Sequence, residues 1–228
     1  MSAPATHAER LELFEQVDLY VVTCEPLSAG RTDEEVLEAV IAGGACIIQL
    51  RDKESTPRDF YAKALAFRQR THAAGMLLII NDYLDVALAV DADGVHLGQQ
   101  DLPLAAARRL APEMIIGRST HSRAQALEAQ EQGASYVNIG PLFTTGTKEH
   151  AATLGLQAVR EIAPGLGIPF TVMGGIKRAH IPDIVSAGAT KIAVVTAVTQ
   201  APDMAQAVRE LRAAIGRSTP HGPREADE

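Results

Sequence analysis

The sequence predicts an α/β fold in one domain, a closed (β/α)8 barrel of the TIM type, on three observations. Eight short apolar runs alternate with eight amphipathic segments along the 228 residues. The apolar runs are hydrophobic at consecutive positions rather than at alternate ones, as strands buried on both faces require. No long linker interrupts the alternation, and no early G-x-G-x-x-G marks an open doubly wound sheet, so closure into a barrel is the preferred architecture.

The elements follow in order. The first residues, to about residue 16, are expected to form a short helix across the barrel bottom. Predicted strands are 18–23, 46–50, 77–81, 94–97, 115–118, 136–140, 170–173 and 191–195, where Val and Ile crowd together. Predicted helices are 33–42, 57–74, 83–90, 104–110, 123–132, 156–163, 181–187 and 203–215, rich in Ala, Leu, Glu and Arg. Four of them run into glycine, at Gly43-Gly44-Ala45, Ala74-Gly75, Gly133-Ala134 and Gly188-Ala189, where a left-handed residue ends the helix before the next strand. The barrel is assigned to residues 1–216. The tail 217–228, RSTPHGPREADE, has no apolar residue to anchor it and is expected to be disordered.

Composition narrows the function. With a net charge of −7 the chain is a poor match for nucleic acid or an anionic membrane, and neither is expected as a partner. Small anionic substrates remain compatible with a locally basic site, and a homo-oligomer is left open. Cys24 and Cys46 lie in no metal-binding spacing and read as reduced, packed thiols, which suits a cytoplasmic setting. No apolar run reaches the ~18 residues of a membrane span. The first sixteen residues lack the apolar core of a signal peptide.

In a barrel of this kind the site lies at the C-terminal ends of the strands. After the second strand, Gln49, Arg51 and Lys53 alternate and so share one side, offering an amide and two cations to an anion. After the third and fourth come Asn81-Asp82 and, within HLGQQD, Asp101. Two carboxylates on adjacent strand ends suit one Mg²⁺ completed by water and substrate oxygens, although each Asp alone also suits a helix N-cap, Asp101 before Leu102-Pro103 above all. The fifth strand leads into Ser119, then His121, which reads as structural, and Ser122, an N-cap. The loop after the sixth strand, GPLFTTGTK, carries Thr144, Thr145, Thr147 and Lys148 and suits a lid over a phosphorylated ligand. Gly174-Gly175 after the seventh strand and Val195-Thr196 after the eighth allow backbone N–H groups to approach a phosphate closely. The chain therefore offers two phosphate-handling regions, one on the seventh and eighth strands and a cationic one on the second and sixth that faces the expected Mg²⁺ site. No nucleophile–base pair or redox fingerprint accompanies them, which favours electrostatic stabilisation of a leaving group.

These motifs, QLRDK (49–53), IINDYLDVALAVDADGVHLGQQDLP (79–103), IGRSTH (116–121), GPLFTTGTK (140–148), GGI (174–176) and VVTAV (194–198), resemble thiamine-phosphate synthase over nearly the whole chain. The resemblance implies a transferase of thiamine biosynthesis. It would join 4-amino-5-hydroxymethyl-2-methylpyrimidine pyrophosphate to 4-methyl-5-(2-phosphoethyl)thiazole, giving thiamine phosphate and pyrophosphate by a dissociative, Mg²⁺-assisted route. It implies Asp82 and Asp101 as metal ligands. Gln49, Arg51, Lys53, Asn81 and Lys148 would hold the pyrimidine pyrophosphate, with Ser119 on the pyrimidine ring. Thr145, Thr147, Gly175, Val195 and Thr196 would surround the thiazole phosphate. Arg51, Lys53, Lys148 and Ser119 would carry the catalysis. The chain departs from the family pattern in having Thr196 for Ser, Thr144 for Pro and Tyr83 for Arg. A thiazole tautomerase paralogue is the nearest alternative, but it carries a catalytic His where this chain has Pro141. Epimerase and tryptophan-pathway barrels need motifs that are absent here, and a non-catalytic phosphate-binding barrel would have lost part of this residue set.

Overall fold

The structure, a computed structural model, describes residues 6–145 and 152–218. Eight parallel strands close into a barrel: β1 (Leu19–Val22), β2 (Ile47–Leu50), β3 (Leu77–Asn81), β4 (Gly94–Leu97), β5 (Ile115–Thr120), β6 (Tyr136–Ile139), β7 (Phe170–Val172) and β8 (Ile192–Val194). Each pairs with the next, and β8 returns to β1 through Leu19 opposite Ile192. The helices are α1 (His7–Glu15), α2 (Asp33–Ala42), α3 (Pro57–Ala73), α4 (Leu84–Ala89), α5 (Leu104–Leu110), α6 (Arg123–Glu131), α7 (Gly155–Ile162), α8 (Ile181–Ser186), a short α9 (Thr196–Thr199) and α10 (Met204–Ser218). The predicted fold class is therefore the observed one.

The differences lie at element ends. Strand β5 runs two residues past the prediction, to Thr120, which puts Ser119 on the strand itself. Helix α10 runs past its last buried residue, Ile215, and Ser218 donates its hydroxyl to the Ala214 carbonyl at 2.8 Å. Arg217 and Ser218 are thus helical and not part of a disordered tail; residues 219–228 lie outside the described residues. Ser122 caps α6 as expected, its side chain accepting from the Gln125 N–H. Asp101 does not cap α5. That helix starts after Pro103 without a side-chain cap, because the Asp101 carboxylate is turned to the Gly98 N–H at 2.6 Å.

Two apolar layers hold the barrel. Outward-facing strand residues such as Val21, Ile48, Ile80 and Val95 pack under the helices. The interior holds Tyr20, Ile47, Ile79, Ile115 and Tyr136. It is narrow: a Cβ on Gly117 would stand within the Tyr136 ring, so β5 needs glycine there to admit that tyrosine. Helix α1 closes the bottom, as the sequence predicted. Its Phe14 stacks on Tyr136 with ring centroids 4.5 Å apart, and Lys191 ties its C-terminal end by bonding the Glu15 carbonyl at 2.6 Å.

Candidate active site

The C-terminal rim gathers the predicted residues from seven strands, β2 to β8. Of Gln49, Arg51 and Lys53 only Gln49 lies within β2, and the three side chains do different things. Gln49 is 4% exposed and lies inside the barrel, its Nε2 donating to the Tyr20 hydroxyl at 2.9 Å. Arg51 lies past the strand end, with its backbone N–H on Thr23 Oγ1 at 3.0 Å and its guanidinium against Cys24 Sγ at 3.2 Å. Lys53 crosses to β3 and pairs with Asp82. Asp52, between the two cations, points the other way. Its carboxylate accepts from the Glu54 and Ser55 N–H groups at 2.9 and 3.0 Å, from Ser55 Oγ at 2.6 Å and from Lys63 Nζ at 2.6 Å. Lys63 also bonds the fully buried Asp33 at 2.8 Å. The turn that presents Arg51 and Lys53 is thereby pinned from behind.

Asp82 sits in the left-handed region, φ 66°, a conformation that Asp tolerates better than most residues. Its N–H donates to the His96 carbonyl at 2.9 Å, which holds the strand end in place. Asp101 comes close enough for its carboxyl to share a hydrogen bond with that of Asp82. Burial, then that bond and the neighbouring charge, raise the Asp101 carboxyl above its ordinary value, against the pull of the Gly98 N–H and Lys53. Two facing carboxylates form a donor set that a divalent cation relieves. Among the described residues no group of three or more His, Cys, Asp or Glu side chains forms a complete cage. The pair therefore fits Mg²⁺, which commonly takes one or two carboxylates and fills its shell with water and substrate oxygens.

Ser119 Oγ lies 2.9 Å from His96 Nε2, and the other ring nitrogen of His96 lies 2.9 Å from the Tyr136 hydroxyl. His121 has the structural bond expected of it, Nδ1 to the Gly140 carbonyl at 2.5 Å. The loop after β6 lies along the loop after β7: the Leu142 N–H reaches the Met173 carbonyl at 2.8 Å and the Phe143 N–H the Gly174 carbonyl at 3.0 Å. Gly175, φ +62°, is required by that contact as well as by any ligand, since a Cβ there would strike the Thr144 carbonyl. Thr147 and Lys148 lie outside the described residues.

The rim divides into two adjoining chambers. One holds Arg51, Lys53, Asn81, Asp82 and Asp101. The other holds Thr145, Gly174, Gly175, Val195 and Thr196, beside the start of α9. Ser119 and His121 border both. All predicted site residues on the described rim line these chambers except Gln49, which lies beneath their floor. The sequence reading gave no role to His96, Tyr20 or Tyr136. The signal for His96 was present in the alternation along β4, which turns it inward between Val95 and Leu97. Nothing local marks the tyrosines as polar partners rather than core.

Comparison with known proteins agrees with this geometry. The family model described as thiamine monophosphate synthase matches residues 19–198. The chain is 48% identical over 198 residues to the thiamine-phosphate synthase of Chloroflexus aurantiacus, covering 86% of this chain and 92% of that one. It is 45% identical over 207 residues to that of Methanoculleus marisnigri, covering 90% and 98%. A solved structure, the thiamine phosphate pyrophosphorylase from Pyrococcus furiosus, superposes with a TM-score of 0.83 at 37% identity, over 92% of this chain and 98% of that one. A match this long makes the chain a transferase: it belongs to the thiamine monophosphate synthase family.

Proposed function

We propose that the chain condenses 4-amino-5-hydroxymethyl-2-methylpyrimidine pyrophosphate with 4-methyl-5-(2-phosphoethyl)thiazole, releasing pyrophosphate and forming thiamine phosphate. The observation that carries this reading is the pair of adjoining chambers of unlike chemistry that meet at Ser119. Arg51, Lys53 and Asn81 offer donors to a pyrophosphate beside the Asp82–Asp101 pair. The glycine loop after β7 and the backbone of Val195 and Thr196 suit a single phosphate. A ring held at the Ser119 boundary would place its reactive carbon between the two.

Asp82 and Asp101 would hold Mg²⁺, which when bound supplies positive charge to the pyrophosphate oxygens. The chain's own cations act in the same sense. Arg51 gives a fork of donors and Lys53 a compact charge, so negative charge developing on the leaving group meets groups already in place. The proposed bond-breaking is dissociative: the carbon–oxygen bond to pyrophosphate opens and the thiazole nitrogen then attacks the pyrimidine-methyl cation. That route asks for no general base at the reacting atoms. Lys148, on the loop after β6, is assigned to the departing pyrophosphate on the family resemblance. We place the enzyme in the cytoplasm, with its two substrates as partners; among the described residues no helix is long and apolar enough to cross a membrane.

The test is synthesis of thiamine phosphate from the two substrates, with and without Mg²⁺. Product that requires both substrates and falls away on chelation is expected. No product from the pair would overturn the assignment, and product indifferent to chelation would overturn the metal role.

A further inference from the structure

We propose that the barrel interior carries a directed hydrogen-bond relay, Gln49 to Tyr20 to Tyr136 to His96 to Ser119, that fixes His96 as its Nε2–H tautomer and turns the Ser119 hydroxyl proton into the active site. The distances are continuous: Gln49 Nε2 to Tyr20 Oη 2.9 Å, Tyr20 Oη to Tyr136 Oη 3.1 Å, Tyr136 Oη to His96 Nδ1 2.9 Å, and His96 Nε2 to Ser119 Oγ 2.9 Å. The first four members are buried, with Tyr136 fully so, and the chain of contacts crosses from β2 through β1, β6 and β4 to β5.

The direction follows from the donor inventory. An amide nitrogen only donates, so the Tyr20 oxygen accepts from Gln49. Tyr20 has one O–H, and Tyr136 is the acceptor within reach. Burial pushes both phenols above their ordinary pKa, so each keeps its proton and has one to give. Tyr136, having accepted from Tyr20, gives its proton to His96 Nδ1, which must therefore be bare. A neutral imidazole then carries its hydrogen on Nε2 and donates to Ser119 Oγ. The serine oxygen is thus an acceptor toward the histidine, and its own proton points elsewhere, toward the boundary it shares with both chambers. Reversing the relay would leave the Tyr20 proton buried without an acceptor, which proteins avoid. Phe14, stacked on Tyr136 from below, holds the central phenol in place, so the floor of the site is oriented from the bottom of the barrel.

This deepens the proposed function and rests on it for the substrate. A hydroxyl whose one proton is turned toward the ligand suits a ring atom with a free lone pair better than an amine at the same place. Ser119 should accordingly recognise a ring nitrogen of the pyrimidine and not its exocyclic amino group. Tyr20 and Tyr136 act through His96 and Ser119 as positioning residues.

The first test needs no substrate. Two-dimensional ¹⁵N–¹H spectra of the uniformly labelled enzyme report the tautomer of each imidazole, and the His96 signals are those lost in His96→Gln. The Nε2–H form is expected in the wild type, with a mixed population in Tyr136→Phe and Tyr20→Phe. An Nδ1–H ring in the wild type would overturn the relay, as would an unchanged tautomer in both variants. The second test uses substrate analogues in which each pyrimidine ring nitrogen is replaced in turn by CH. The wild type should lose about a hundredfold or more in kcat/KM with one of them, because a site built to hydrogen-bond an atom rejects its apolar substitute strongly. Ser119→Ala should treat that analogue and the natural substrate within about threefold of each other. Equal discrimination by wild type and Ser119→Ala would overturn the assigned polarity. Absence of thiamine phosphate from the natural pair would overturn the proposed function alone, while the spectra still decide the relay.

Discussion

Replacing Lys63 by Met should test how the pyrophosphate-facing turn is held. Lys63 reaches from α3 into a pocket of carboxylates, with Nζ 2.6 Å from Asp52, 2.8 Å from Asp33 and 3.3 Å from Glu25. Its side chain is 14% exposed, that of Asp52 8% and that of Asp33 not at all. Methionine keeps the length and removes the charge, so both buried carboxylates lose their counter-ion. Breaking a buried pair in this way typically costs about 3–5 kcal/mol. Here the lower end is expected, about 3 kcal/mol, because Asp33 has an escape. Burial already raises its carboxyl above the ordinary range, so without Lys63 it takes up a proton. Asp52 keeps its bonds to Ser55 and to the Glu54 and Ser55 N–H groups. For a domain of this size the loss corresponds to a melting point lower by roughly 6–12 °C. Urea denaturation and thermal melting measure it. The double variant Lys63→Met/Asp33→Asn should recover much of the loss by leaving only one charge. The pH dependence has a sign to check. Although burial opposes its charged form, the bonds from Lys63, Ser55 and the backbone hold the Asp52 carboxyl well below the usual range. Its contribution is present above the unfolded value and is lost as the pH falls below about 4. Asp33, shifted upward, works in the opposite sense, and its contribution falls as the pH rises. Wild type should therefore lose more stability than Lys63→Met on acidification through that window. A loss under about 1 kcal/mol in the single variant, or a double variant no better than the single, would refute the argument.

Three further outcomes are expected. Asp101→Asn should weaken Mg²⁺ activation at least tenfold, and in the wild type the Mg²⁺ requirement should rise as the pH falls, because a raised Asp101 carboxyl lets a proton compete with the cation; Mg²⁺ titrations of the initial rate measure both. Gly175→Ala should lower stability by about 2–4 kcal/mol, from a left-handed backbone and the contact with the Thr144 carbonyl, and should raise the KM for the thiazole phosphate more than that for the pyrimidine substrate; chemical denaturation with steady-state kinetics tests the pair of effects. Lys148→Ala should slow the chemical step by about 10²–10³ while changing the substrate dissociation constants little, as single-turnover kinetics would show, because charge on pyrophosphate is greatest in the transition state.

The fold was legible because its signals repeat: each unit has an apolar run and a helix former-rich segment, and four of the helices end in a glycine stop. Element ends were less so. Helix α10 outlasts the apolar pattern because a helix once formed adds residues at little cost, and the polar sequence from Arg217 shows no break until Pro220. The rim was legible where chemistry sits in short contiguous strings, as in Gln49-Leu50-Arg51-Asp52-Lys53 and Gly174-Gly175. It was not legible where a role depends on partners far along the chain. Asp52 reads as one more charge in a polar turn until Lys63 and Asp33 are seen behind it. Asp101 has the look of an N-cap, and only the fold shows its carboxylate spent on Gly98 and Asp82 instead. Tyr20 and Tyr136 show the limit most clearly. Each sits in an apolar run predicted as a strand, yet their hydroxyls meet across 116 positions of sequence. A phenol satisfies the demands of a packed interior with its ring and those of a hydrogen-bond network with its oxygen. Periodicity registers only the first, so a polar chain built from tyrosines inside a barrel leaves no trace in the hydrophobic pattern that reveals the barrel.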